Sequence, residues 1–443
     1  MRASSIVFLC TAGLAALLND ACRSNQAERD FLQARARLLE TSMKADSAGI
    51  VAARQSFEKL LQSEQVTRND SLAAWTHYYI AFANWQLALP TMGNRPNALK
   101  LVKEALVQAA AATKLRENLF EAYSVQRRSQ YWIFMLDPKH DRSFLAESRA
   151  AFQKAQALAP NHPVIMMEEA IELYYKPAQA GGDQQKGLER FQAALQQFKL
   201  QKEMEPSQAR WWQATTHVMY GQAQLGVGRV AAAEEEFQAA LKLEPNFEYV
   251  KTTMLPMTQL VAAPAISALT HASWINLAHD SETDGFNPAW AAVKTLSYFY
   301  DAATDTIWFK LDLSRLPNPD AFGINLVVDT DQNQSTGSNW WGGNRAFKYD
   351  RLVSVWVVKD GANVFRGAVG VGDFHGVNAG RYTNLYRNNL AFRADSISQT
   401  MLLGMKRTEL DDDGRMNLIA AVGSNAGWND DVPDSNSVQL DLK

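Results

Sequence analysis

Residues 221–246, which read GQAQLGVGRVAAAEEEFQAALKLEPN, decide the fold of the first half of this sequence. Apolar side chains recur there at spacings of three and four residues, which is typical of amphipathic helices. Gly221, Ala233 and Ala240 are small enough to let two helices approach closely, and Phe237 is placed to fill the gap between them. Pro245 is expected to stop the second helix, because proline lacks an amide hydrogen and clashes with the preceding turn. The stretch therefore predicts a hairpin of two closely packed helices.

The same pattern recurs upstream, in an irregular repeat. An earlier copy is carried by Trp132, Phe152, Ala155 and Pro160. The helix endings at 157–161, 202–206 and 242–246 are similar, and their prolines are 46 and 39 residues apart. In these small residues, aromatics and closing prolines, residues 27–255 resemble a tetratricopeptide-repeat array. The resemblance implies an α-helical solenoid whose concave groove binds a peptide or a partner protein.

Several features of the array depart from a regular repeat or allow two interpretations. The segment 177–183 is an inserted loop in which Asp183 is placed to cap the next helix. Residues 75–85 and 98–115 predict an additional helix pair upstream. The aromatic pairs Tyr174-Tyr175 and Trp211-Trp212 either line the groove or form the core between helices.

The last 179 residues, from 265 onward, have a different composition and predict a β-sandwich. Alternating patterns typical of strands occupy 306–313, 324–328 and 353–358, and Gly, Asn, Asp or Pro residues bound each of them. Several short strands without intervening helices favour two packed antiparallel sheets. This part contains 15 basic and 21 acidic residues and has a net charge of −6, which leaves the preceding residues near +3. The fold class predicted for the whole chain is therefore multidomain α + β.

The order of elements in residues 265–443 resembles family-9-type carbohydrate-binding modules and the related DOMON domains. The segments that carry the resemblance are the acidic opening 280–285, the strand and acidic turn 328–337, the apolar strand with a short helical turn 400–410, and the closing loop 428–434. The resemblance implies that this domain binds carbohydrate and that its acidic turn holds a structural calcium ion.

The acidic turn offers a cation site by itself. Asp329, Asp331 and Asn333 alternate, so their oxygens can converge on one hard cation such as calcium. Gln334 stands where an EF-hand loop needs glycine, so the turn is not an EF-hand. The alternative is a turn rich in Asp and Asn that needs no metal. No other cofactor is expected.

Tryptophans near this turn are candidates for sugar binding. Trp340 and Trp341 are expected to stack on sugar rings, with Asn344 and Arg345 bonding the hydroxyls, and Trp428 is expected to form the opposite wall. The alternative is that these indoles pack between the sheets, as we expect Trp308 and Trp356 to do.

The first 22 residues predict export. Arg2 precedes an apolar run over 6–18, which is long enough for a signal peptide and too short to span a bilayer. Residues 17–22, LLNDAC, resemble a lipoprotein processing box that ends at Cys22, the residue expected to carry lipid. The expected location is the periplasm, the outer membrane or the cell surface, with membrane contact only through that anchor.

The composition of the 443 residues excludes several classes of protein. A net charge of −3 argues against a nucleic-acid partner, 47% hydrophobic residues argue against disorder, and two cysteines cannot build a disulfide framework. We found no metalloprotease, nucleophile-elbow, phosphate-binding or dinucleotide motif. The sequence therefore favours a non-catalytic exported binding protein with a protein-binding array and a carbohydrate-binding sandwich. The alternatives are an envelope assembly scaffold with a purely structural sandwich, and a hydrolase with paired acids between the domains.

Overall fold

The computed structural model describes most of the chain after residue 25. The described residues are 26–91, 95–137, 139–176, 181–200, 206–255, 258, 261–262, 269, 272–281, 292–314, 321–340, 342–360, 364–373, 384–386, 391–395, 399–410, 413–424 and 427–442. The predicted signal segment and Cys22 lie outside them. The chain divides into two compact units, Met1–Leu89 with Pro96–Asn161, and Pro90–Arg95 with His162–Lys443.

The first unit is helical. Its helices are α1 (26–43), α2 (Ser47–Leu61), α3 (Glu64–Thr67), α4 (Asp70–Ala88), α5 (Arg95–Leu115, whose first residue is counted in the second unit), α6 (Phe120–Leu136) and α7 (Ser143–Leu158). Helix α4 is mostly buried, and an aromatic cluster forms around it in which Phe57 stacks on Tyr79 with ring centroids 5.4 Å apart. Helix α7 ends two residues before Pro160 and buries Phe152 and Ala155 against α6, as predicted.

The second unit begins with two helical hairpins. Helices α8 (Pro163–Tyr175) and α9 (Gln184–Phe198) form one, and α10 (Pro206–Gly226) and α11 (Val230–Leu243) form the other. A π-helical turn, Val250–Met254, follows. Asp183 caps α9 as predicted, because its Oδ1 accepts a hydrogen bond of 3.0 Å from the Lys186 amide.

The α10–α11 hairpin packs as residues 221–246 predict. Ala233, Phe237 and Ala240 have no exposed surface. A Cβ on Gly221 would lie 2.5 Å from the Phe237 ring, so only glycine lets α10 approach the ring this closely. Helix α11 ends at Leu243, two residues before Pro245. A glycine also allows close packing in the α8–α9 hairpin, where a Cβ on Gly187 would lie 2.8 Å from the Tyr174 Cβ.

Antiparallel sheets form the rest of the second unit. The strands are β1 (Val261–Ala262), β2 (Ile275–His279), β3 (Val293–Asp301), β4 (Thr306–Leu313), β5 (Ala321–Asp329), β6 (Ser338–Asn339), β7 (Lys348–Tyr349), β8 (Arg351–Asp360), β9 (Val364–Asp373), β10 (Asn384–Tyr386), β11 (Ala391–Asp395), β12 (Thr400–Lys406), β13 (Arg415–Ser424), β14 (Gly427–Val432) and β15 (Val438–Asp441). One sheet has the order β1-β9-β8-β5-β13-β14, with β10 paired to β9 and β15 to β13, and the other has the order β11-β12-β4-β3-β2. The short strands β6 and β7 pair with each other.

The two large sheets share one apolar core. Alternate residues of β3, β4 and β12 meet those of β5, β8 and β13, and examples are Phe309, Leu326 and Leu418, which are all fully buried. A short helix, α12 (Arg407–Leu410), follows β12, as the segment 400–410 predicts. The predicted fold class is confirmed as a helical array followed by antiparallel sheets that enclose one core. The domain boundary predicted between 255 and 265 stays a prediction, since it lies inside the second unit.

Candidate functional site

The predicted acidic turn follows β5 and is held together by its own hydrogen bonds. Asp329 is buried, and its Oδ1 accepts a bond of 3.1 Å from the Asn333 amide. Its Oδ2 accepts bonds from Nε2 of Gln334 at 2.7 Å and from Nδ2 of Asn417 at 3.1 Å. The amide oxygen of Asn333 accepts the Ser335 amide and hydroxyl at 3.1 and 2.6 Å. These bonds are those of a turn rich in Asp and Asn.

A third carboxylate joins the turn from a distant part of the sequence. Asp350, between β7 and β8, is buried, and its Oδ2 accepts a bond of 3.1 Å from the Thr330 amide. Carboxylate oxygens of Asp329, Asp331 and Asp350 lie within 4.8 Å of one another. This all-oxygen donor set fits a hard cation such as calcium. The spacing of the turn does not identify Asp350. The pairing of β5 with β8, in which Val328 opposes Arg351, brings it back to Asp329.

Trp340 is not an exposed sugar-stacking surface, which corrects the sequence-based expectation. It is 1% exposed and packs with Phe347, Tyr349 and Leu352 on the sheet face that points away from the main core. Its Nε1 donates to both carboxylate oxygens of Asp431 at 3.0 Å. The physical reason is that an indole with a buried partner for its N–H gains more from burial than from exposure.

The remaining predicted sugar ligands are placed as follows. Asn344 is buried. Its backbone amide donates to Asp431 at 2.7 Å, and its Nδ2 donates to the Asn436 carbonyl at 2.5 Å. Its side chain is therefore not available to bond a sugar hydroxyl, which is a second correction. Arg345 is exposed, and the pKa of Arg95 is lowered by burial and by the positive charge of Arg345. Trp341 lies outside the described residues. Trp428 belongs to β14, but its side chain, like that of Trp356, lies outside the described part of the structure.

The closing segment is a structural element of the sandwich. Asn429, Asp430 and Asp431 are buried. Oδ2 of Asp430 accepts a bond of 2.7 Å from the Val293 amide at the start of β3. Carboxylate oxygens of Asp280, Asp430 and Asp434 lie within 4.8 Å of one another, so the structure brings the start of the acidic opening to the closing segment.

Trp308 lies half-buried on the outer face of its sheet and not in the core, contrary to the sequence-based expectation. In β4 the buried positions are Ile307, Phe309 and Leu311, so the intervening Trp308 projects from the outer face of the five-stranded sheet. Its ring lies directly over Gly404 of β12, where a Cβ would approach the indole to 2.4 Å. The sequence signal that could have found this surface is the strict alternation of β4, which places Trp308 with Lys310 and Asp312.

Polar side chains continue this outer face along β4. The carboxylate of Asp312 accepts hydroxyl hydrogen bonds from Thr295 of β3 at 2.8 Å and from Thr400 of β12 at 2.7 Å. Nζ of Lys310 lies 3.4 Å from Asp312. Partial burial raises the pKa of Asp312, but the bonds from Thr400 and Thr295 and the charge of Lys310 outweigh it, so the pKa is lowered.

The aromatic pairs of the helical array are mostly core. Trp211, Trp212 and Tyr174 are buried, while Tyr175 is half-buried. Tyr249 is 39% exposed, and its hydroxyl accepts a bond of 2.9 Å from Nε2 of Gln222 on α10. Burial, reinforced by Tyr174 and Tyr249, raises the pKa of Tyr175. Tyr175, Gln222 and Tyr249 thus form a patch, called here the tyrosine patch.

Comparisons with known proteins identify no family for this chain. No family model matches it, and no curated protein matches it. Among solved structures it is similar to a thermophilic TPR protein from Thermus thermophilus, at 15% identity and a TM-score of 0.34. That match covers 52% of this chain and 95% of the other. A TM-score of this size supports no conclusion about the chain.

Among the described residues, no helix combines the length and hydropathy needed to cross a bilayer.

Proposed function

We propose that this chain is a non-catalytic binding protein. Its helical array holds a partner protein, and its β-sandwich recognises carbohydrate. The proposal includes export and lipid attachment at Cys22. The observation that supports carbohydrate recognition is Trp308, whose indole lies flat on Gly404 at the outer face of the five-stranded sheet. A flat aromatic surface flanked by polar side chains suits a sugar ring, which has apolar faces and a polar edge.

Affinity electrophoresis of the full chain through gels that contain soluble polysaccharides tests carbohydrate recognition. We expect retarded migration in at least one neutral polysaccharide and none in polysaccharide-free gel. Unretarded migration in every gel, with the fold intact by circular dichroism, would favour the rival function of an assembly scaffold with a structural sandwich.

The tyrosine patch supports the protein-binding half of the proposal. An exposed tyrosine held by a hydrogen bond offers a large contact area at small cost in side-chain entropy, which is why tyrosine is frequent at protein interfaces. A photo-cross-linking residue at Tyr249 should yield a single adduct in cells of the source organism. The matched position is Leu200, which is 70% exposed and follows α9. Equal adducts from both positions, or none from Tyr249, would contradict binding at this patch.

The proposal keeps a structural calcium ion at the acidic turn, with Asp350 in the place predicted for Asn333. Asp329, Asp331 and Asp350 would hold the ion, which would offset the repulsion between three close carboxylates. We expect calcium to raise the melting temperature of the wild type and not that of Asp350→Asn. If calcium changes neither, the hydrogen bonds of the turn are sufficient and the calcium site is rejected.

Lipid attachment has its own test. Labelled fatty acid should enter the wild type in bacterial cells and should not enter Cys22→Ser. The matched control is Cys10→Ser, because Cys10 lies within the apolar run of the predicted signal peptide. Labelling that survives in Cys22→Ser would remove this part of the proposal.

A further inference from the structure

An aromatic row crosses the outer face of the five-stranded sheet at right angles to its strands. Phe299 of β3 is the direct cross-strand neighbour of Trp308 of β4, and Trp308 is that of Gly404 of β12. Trp274, just before β2, borders the row on the other side, with its ring 6.2 Å from that of Phe299 and inclined to it by 63°. Since neighbouring strands are about 4.8 Å apart, four such positions span about 14 Å. The row is therefore longer than one sugar ring.

The geometry of Gly404 lets the Trp308 ring lie flat against the sheet. The Trp308 ring atoms Cε3, Cζ3 and Cη2 would lie 2.4 to 2.6 Å from a Cβ at position 404. Any other residue there would push the indole upright, whereas glycine lets the ring lie against the backbone of β12. At the other end, Nζ of Lys310 lies over the Trp274 ring, 5.5 Å from its centre, in a cation–π contact.

Polar residues flank the row on both sides. On one side, Asn276 of β2 and Lys310 of β4 are the flanking groups, and Ser297 of β3 between them is buried. On the other side, the neighbours are Asp301, Thr306 and Lys406. The positive charges of Lys310 and Lys406 are balanced by the negative charges of Asp301 and of Asp312, which pairs with Lys310. An apolar strip one residue wide with hydrogen-bonding groups along both edges fits a narrow polar chain better than the broad apolar core of a protein interface.

We propose that this row binds a segment of an extended neutral polysaccharide, with neighbouring sugar rings on Trp308 and Phe299 and with the inclined Trp274 ring bordering the row. The balanced charge disfavours a polyanion, and the edge groups bond the hydroxyls of each ring. This inference rests on the proposed carbohydrate recognition and deepens it, because it names the site and the form of the ligand. A row that is longer than one ring contacts more than one sugar of a chain.

Titration calorimetry with the full chain tests the inference. The ligands are the neutral polysaccharide that most retards the chain in affinity electrophoresis, and oligosaccharides of that polymer with one to six sugars. We expect affinity to rise with oligosaccharide length until the row is filled. Trp308→Ala and Phe299→Ala should each weaken binding roughly tenfold or more, as truncation of a central aromatic anchor does. The matched control is Tyr131→Ala, which removes an aromatic that is 45% exposed in the first unit.

Gly404→Ala is a further variant that keeps every aromatic of the row. Because the added Cβ displaces the indole, we expect weaker binding although Trp308 is present. If the wild type, Trp308→Ala and Gly404→Ala bind the polysaccharide with equal affinity, this site is overturned, although the chain still recognises carbohydrate. Equal affinity for one and six sugars would overturn binding along the chain. Absence of binding to every glycan would overturn the proposed carbohydrate recognition itself, and this site with it.

Discussion

At the scale of single residues, Asp431 decides where Trp340 lies. Its buried carboxylate accepts the indole N–H and the Asn344 amide, and these partners are 91 and 87 residues away in sequence. Asp431→Ala would leave both donors buried without an acceptor, so we expect the free energy of unfolding to fall by about 3 kcal/mol. Urea unfolding measures this. Asp441→Ala is the control, because it removes an exposed carboxylate 3.4 Å from Arg415 and should cost roughly 0–1 kcal/mol. Equal losses in both variants would contradict the role of Asp431.

At the scale of elements, the α10–α11 hairpin depends on the contact of Gly221 with Phe237. Gly221→Ala would raise helix propensity by about 1 kcal/mol. It also forces a methyl group against a ring that has no free space, which should cost roughly 1–3 kcal/mol and give net destabilisation. Phe237→Leu removes the ring edge that the added methyl group meets. The double variant Gly221→Ala/Phe237→Leu should therefore lose less stability than the sum of the losses in the two single variants. Strict additivity in thermal unfolding followed by circular dichroism would reject the steric account.

At the same scale, the stability of the sheet around strand β4 should depend on pH. Its Asp312 links β3 and β12, because the carboxylate accepts hydrogen bonds from Thr295 and Thr400. Since folding lowers the pKa of Asp312, the ionised carboxylate stabilises the fold above its unfolded pKa of about 3.9, and this contribution is lost as pH falls through the lower folded pKa. Asp312→Asn should therefore be less stable than wild type at about pH 7, and the gap should narrow towards about pH 3. Urea midpoints at several pH values measure the gap. A gap independent of pH would contradict the prediction.

At the scale of the whole molecule, the chain has two compact units whose division falls between α7 and α8, inside the predicted helical array. Calorimetry should therefore show two transitions. Phe57→Ala, which removes a fully buried ring and should cost about 3–5 kcal/mol, should lower one of them. Gly221→Ala and Asp431→Ala should both lower the other, because both lie in the second unit. If Gly221→Ala shifts the same transition as Phe57→Ala, the cooperative units follow the boundary near 255–265 that the sequence predicts.

Much of this fold depends on neighbours in sequence, and those parts were predictable. Helix periodicity, the small residues of the α10–α11 hairpin, the Asp183 cap and the alternation of β4 follow from spacing and local sterics, which residues 221–246 and 306–313 already contain. The candidate site was predicted only in part. The acidic turn was found, but its third acid and the true environment of the tryptophans were not.

Only the tertiary structure decided that Trp340 is buried. Trp340 follows a polar turn and Trp308 lies within an apolar strand. Nevertheless Trp340 bonds the Asp431 carboxylate and packs with Phe347 and Tyr349, whereas Trp308 lies on Gly404 at a sheet surface. The partners Asp431 and Gly404 are 91 and 96 residues away, and only strand pairing brings them into contact. The sequence by itself determined the helices, the strands and the order of the two architectures, because those depend on local spacing. Burial, the Asp350 carboxylate and the aromatic row depend on contacts between distant residues, and these exist only after the sheets have formed.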